Sequence, residues 1–141
     1  MKIRSTLFFF LIFICVSSRA ESFEERAGLC MGAFLAFSND HVEEGKNPFD
    51  ALSSAARANY VSEVNPFYEK KNIEGMMSLI GQKCGHLRQG EANPCIDRVV
   101  KDKKAASFLK AMYRGIAGIR GKDRLTASAG MNSSCLLVNP R

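Results

Sequence analysis

Residues 22–42, SFEERAGLCMGAFLAFSNDHV, decide the fold. Ser22 followed three residues later by Glu25 is the reciprocal capping pattern that opens a helix. From Gly28 to Phe37 the run is apolar without a break, so a helix here has no polar side to turn to water and belongs in the middle of a bundle. Gly28, Gly32 and Ala36 recur every four positions, giving that helix a face of small residues against which a second helix can pack closely. The same spacing pairs helices in membranes. Here, however, Glu24, Glu25 and Arg26 on one side and Asp40, Glu43 and Glu44 on the other bracket an apolar core far short of the roughly twenty residues a membrane span needs. A central helix over 22–42 of a soluble all-α bundle is predicted.

Upstream, Lys2 and Arg4 precede an apolar stretch from Leu7 to Val16, and Ser18-Arg19-Ala20 follows with small residues at cleavage-site positions. This order is that of an export signal, with cleavage expected after Ala20. The stretch is too short for an uncleaved anchor, and Ile14 stands where a small residue would precede a lipidated Cys15. Residues 21–141 are then a single domain, exported to a periplasm or secreted. Loss of the signal lowers the net charge from +6 to +3, because its three charged residues are all basic. What remains is polarised: residues 21–63 carry eight acids and three bases, residues 91–124 four acids and nine bases. Such halves either associate with one another or present faces of opposite sign to partners.

Four cysteines follow the signal: Cys30, Cys84, Cys95 and Cys135. An even count in an exported domain of this size points to two disulfides, and four cysteines allow three pairings. Cys84 with Cys95, closing a short polar loop, and Cys30 with Cys135, tying the tail to the first helix, is the favoured set. In the chain-entropy model these are worth about 3 and nearer 5 kcal/mol.

Downstream, all four prolines follow asparagine, at Asn47-Pro48, Asn65-Pro66, Asn93-Pro94 and Asn139-Pro140. Asparagine caps helices and proline suits their first position, so the first three pairs are read as helix starts. A second helix is expected from Pro48 to near Val64, with Phe49, Leu52, Ala56, Tyr60 and Val64 on one face. The chain restarts at Asn65-Pro66, and a third helix is clearest from Asn72 to Leu87. Beyond Pro94 the apolar pattern breaks phase at Lys101-Asp102-Lys103-Lys104, which implies a kink or two helices. Gly115, Gly118 and Gly121, interleaved with Arg114, Arg120, Lys122 and Arg124, read as a flexible basic loop near 114–124, followed by a small-residue tail. The sum is a disulfide-held bundle of four to five helices.

Groups suited to catalysis are few. There are two histidines, His41 and His86, and no tryptophan. His41 and Glu44 share a helical face, but two such ligands make an incomplete zinc site; no metal or cofactor is called for, and no catalytic set is assigned. Gly121-Lys122 lacks both the earlier glycine and the hydroxyl residue of a phosphate loop. Asn132-Ser133-Ser134 matches a glycosylation acceptor. Disulfides, polarised charge and scarce catalytic groups together predict a small exported binding protein acting on a protein partner, as an inhibitor, an immunity-type neutraliser or an envelope-assembly component. Arg114, Arg120, Lys122 and Arg124 are its expected contact surface, and nucleic acid is not the expected partner. The alternatives are a small hydrolase using His41 with Glu43 or Glu44, and a membrane-active protein using the first helix and the basic segment.

Overall fold

The computed structural model describes residues 21–85 and 89–138, with the backbone alone at 89–91. The expected export signal, His86 and Asn139-Pro140 lie outside the described residues. The chain is all-α, in the order α1 (Phe23–His41), a 3₁₀ turn (Pro48–Ala51), α2 (Ser54–Asn59), a π turn (Tyr60–Val64), α3 (Asn65–Lys70), α4 (Ile73–Cys84), α5 (Gln89–Val99), α6 (Lys103–Ile119) and α7 (Arg124–Leu136).

α1 is the central helix its composition demands. Ser22 Oγ accepts the Glu25 amide at 3.2 Å to start it, and Ala27, Cys30, Met31, Ala33 and Phe37 are all at most 2% exposed. Its small-residue face packs on α6, and the two helices run parallel: Gly28 lies on the Phe108 carbonyl and Gly32 on that of Met112. Gly115 reciprocates from α6, where a Cβ would stand 2.6 Å from the Leu29 carbonyl oxygen. Each glycine removes the side chain that would hold the backbones apart. α7 returns antiparallel along α1, since Arg124 meets Glu43 at one end and Cys135 bonds Cys30 at the other. Aromatic groups fill the remaining sides, Phe34 with Phe49 and Tyr60, and Phe67 stacked on Phe108 at 5.0 Å. Burial pushes the Tyr60 phenol up to about 12, so it stays a donor, toward the Met31 sulfur 3.7 Å away.

Both favoured disulfides are present, Cys30 with Cys135 across α1 and α7, and Cys84 with Cys95 between α4 and α5. The phase break at 101–104 is a boundary between two helices: α5 ends at Val99, and Asp102 opens α6 by accepting the Lys104 and Ala105 amides at 3.0 and 3.1 Å.

Only one of the three Asn-Pro pairs opens a helix through an asparagine side-chain cap as expected. Asn47 Oδ1 accepts the Phe49 amide at 3.0 Å and Pro48 is the first residue of the 3₁₀ turn. That turn ends at Ala51, and Ser53 starts α2 afresh through the Ala56 amide. At Asn65-Pro66 the chain does not restart. The helix widens instead, the Asn65 amide reaching back five residues to the Tyr60 carbonyl, so the missing amide of Pro66 falls beside a turn that is already loosened. The Asn65 side chain donates to Glu69 rather than capping. Pro94 lies inside α5, which starts at Gln89. It is exposed, so the hydrogen bond its missing amide forgoes is lost at the surface of the helix and not in the core.

The expected basic loop is corrected more sharply. Arg114, Gly115 and Gly118 are helical, and only residues 120–123 separate α6 from α7. The small-residue tail is α7 itself, opened by Asp123, whose carboxylate accepts the Thr126 amide at 2.8 Å. Gly121, at φ +79°, supplies the left-handed turn between them.

Candidate functional site

The buried residues of α6, among them Ala105, Phe108, Leu109, Met112 and Gly115, occupy one side of the helix. At 3.6 residues per turn the opposite side is Lys103, Ser107, Lys110 and Arg114, followed by Gly118, around which there is open space. This is a cationic ridge on the side away from the core, with Lys103 and Arg114 exposed and Ser107 and Lys110 half-buried between them. Lys110 is steadied by Asp97 of α5, 2.5 Å away. At the two ends of α6 stand Lys101 with Lys104, and Arg120 with Lys122, all exposed.

Of the four residues expected to make partner contacts, Arg114 is on the ridge and Arg120 and Lys122 are at its C-terminal end. Arg124 is separate. It opens α7 and holds Glu43, which also binds Lys46 at 3.0 Å. The Lys46 hydrogen bond and charge, then Arg124, hold the Glu43 carboxyl below its ordinary value. The charge polarity of the sequence is therefore closed at this point: the acidic end of α1 meets the basic turn before α7.

His41, Glu43, Lys46, Asp50 and Arg124 line a cleft of about 350 Å³ at this end of the bundle. His41 sits against the Phe37 ring at 5.5 Å, and its Nε2 is 3.0 Å from the Lys122 carbonyl oxygen. A carbonyl only accepts, so Nε2 carries the proton and this nitrogen ties α1 to the turn. Glu43, the carboxylate a hydrolase would ask of it, is committed to Lys46 and Arg124, and Glu44 is exposed. The cleft is concave, but its groups are engaged in holding helix ends together.

Asn132 has a structural task. Its Nδ2 donates to the Ala51 and Ser128 carbonyls, both at 2.9 Å, and its Oδ1 accepts the Ser53 amide at 2.7 Å. The amide thus pins α7 to the link between the 3₁₀ turn and α2, which leaves no nitrogen for a glycan in the folded protein. Asn132→Ala removes the hydrogen bonds to the exposed Ser53 amide and the half-buried Ala51 carbonyl and is expected to cost about 0.5–1.5 kcal/mol, read as a lowered urea midpoint with unchanged helical circular dichroism in the absence of denaturant.

The two cap aspartates join Glu43 in the acid response. Asp102 is held below its ordinary 3.8 by the Lys71 hydrogen bond first and the Ala105 amide next, and Asp123 by the Thr126 amide and hydroxyl. With folded values depressed, their stabilisation is complete above 3.8 and is lost as pH falls through the lower folded values. Melting temperature should fall over that interval, and less steeply in Asp102→Asn and Asp123→Asn, which no longer titrate there.

Asp102 and Asp123 were legible only as members of charge runs. Lys103 and Lys110 carry a weak signal, their spacing opposite the apolar stripe. No helix among the described residues is long and apolar enough to cross a membrane. Compared with models of known protein families, with curated proteins and with solved structures, the chain matches none.

Proposed function

We propose that this chain is an exported binding protein that docks a protein partner of acidic surface along the solvent face of α6. The observation that supports the reading is the ridge itself: exposed Lys103 and Arg114, with Lys110 between them paired to Asp97, in register on one disulfide-anchored bundle and continued by exposed Arg120 and Lys122 at its end. A preorganised row of cations orients a partner and speeds encounter, while its affinity falls with salt. α1, the other element a membrane-active protein would use, is spent on the core.

The test is capture by the oxidised protein from envelope and culture-fluid extracts, beside the triple variant Lys103→Glu, Arg114→Glu and Lys122→Glu. One stoichiometric protein, held at low salt and lost with the triple variant at unchanged helicity, is the expected result. Equal capture by both forms would remove α6 as the contact face.

A further inference from the structure

The two disulfides differ in what surrounds them. Cys30 and Cys135 are both 0% exposed, inside the α1–α7 contact. Cys84 is half-buried at the end of α4, and Cys95, 2% exposed, has its sulfur 3.3 Å from Nη2 of Arg98, one turn further along α5. Arg98 also lines a cleft of about 470 Å³ between α4 and α5, together with Lys83, Leu79 and Val99. Arg98 therefore stands between the bridge and this cleft, and Lys83, the residue before Cys84, adds a second cation to the cleft wall.

We propose that Cys84–Cys95 is a thiol–disulfide exchange site for a small anionic thiol, with Cys84 the attacked sulfur and Cys95 the leaving group. Three features combine. Cys84 is the less buried of the two cysteines, and so the one a nucleophile reaches. The cations of the cleft draw a carboxylate-bearing thiol and favour its thiolate, and the aliphatic walls of Leu79 and Val99 accommodate its stem. Arg98 stabilises negative charge as it develops on Cys95, and a better leaving thiolate departs faster. In the first step the incoming thiolate bonds to Cys84 Sγ, the Cys84–Cys95 bond breaks, and its electron pair remains on Cys95 Sγ beside the guanidinium. A second thiolate then attacks the incoming thiol's own sulfur in the mixed disulfide. This frees Cys84 as a thiolate and releases the oxidised thiol pair; solvent supplies the protons both cysteines take up. Two thiols are oxidised and one protein disulfide is reduced.

The experiment exposes the full oxidised chain to reduced glutathione, or to its diethyl ester, which keeps the thiol and loses the carboxylates. Acid quench, alkylation and peptide mass spectrometry follow each cysteine with time. Expected are loss of Cys84–Cys95 before Cys30–Cys135, a transient glutathione adduct on Cys84, and a faster reaction with glutathione than with the ester at low salt. Arg98→Gln should slow opening by about threefold to tenfold, and Lys83→Gln should abolish the preference for glutathione while circular dichroism stays unchanged. Simultaneous opening of both bridges, an adduct on Cys95, or an unchanged rate in Arg98→Gln would overturn the assignment.

Discussion

Gly32→Val is expected to be the most damaging single substitution in this chain, costing at least about 3 kcal/mol and leaving little folded protein at body temperature. A Cβ at position 32 falls on the Met112 carbonyl and near the Ile116 amide, both backbone atoms of a helix that is itself held by Gly115 against α1. Neither can swing aside as a side chain would, so relief requires α1 and α6 to separate over much of their length. Gly118 is the matched control. It lies in the last turn of α6 with nothing within 4 Å of an added Cβ, and Gly118→Ala should leave stability unchanged or raise it by up to about 0.5 kcal/mol through helix propensity alone. Urea melts of both variants separate close packing from a general dislike of substitution. Similar losses in the two would deny the α1–α6 contact.

Removing the Cys30–Cys135 bridge as Cys30→Ala with Cys135→Ala should cost about 4–5 kcal/mol, much of the stability of a domain of this size. The bridge spans 105 residues and both sulfurs are in the core, so the variant gives the unfolded chain nearly all of its loop freedom and leaves voids where α1 meets α7. The pair at 84 and 95, separated by 11 residues, restrains far less chain, and its double alanine variant should lose about 3 kcal/mol or less. Denaturant midpoints compared at equal slope read the difference directly. A larger loss from the shorter bridge would show that local strain or structure in the unfolded state, rather than chain entropy, governs these bonds.

Much of this architecture was legible because it rests on patterns with one physical meaning. Gly28, Gly32 and Ala36 at four-residue spacing inside an apolar run permit a close neighbour, and α6 is that neighbour. The even cysteine count implied two bridges, and of the three pairings it left open the favoured one is present. What misled was punctuation. Proline is read as a boundary because it lacks an amide, yet Pro66 is absorbed by a π turn and Pro94 by an exposed helix face, and both outcomes depend on neighbours in space. The glycines between Arg114 and Arg124 suggested looseness because a residue without a side chain has low helix propensity. Gly115 is a packing residue, and only Gly121 makes the turn. Asp123 was the available sign that a helix follows, and it was hidden among basic neighbours. The candidate contact surface was half visible: Arg114, Arg120 and Lys122 lie on or beside the ridge, while Arg124 is tied to Glu43 across 81 residues, a pairing no local spacing reveals.

The central claim is that α6 turns a partner-binding face to solvent, and lysine footprinting of the captured complex tests it most directly. Brief acetylation of the free and bound protein, read by peptide mass spectrometry, should show protection confined to Lys103, Lys110 and Lys122, with Lys46 and Lys83 equally reactive in both states. Protection at Lys46 or Lys83 with the α6 lysines unchanged would place the partner elsewhere and contradict the account.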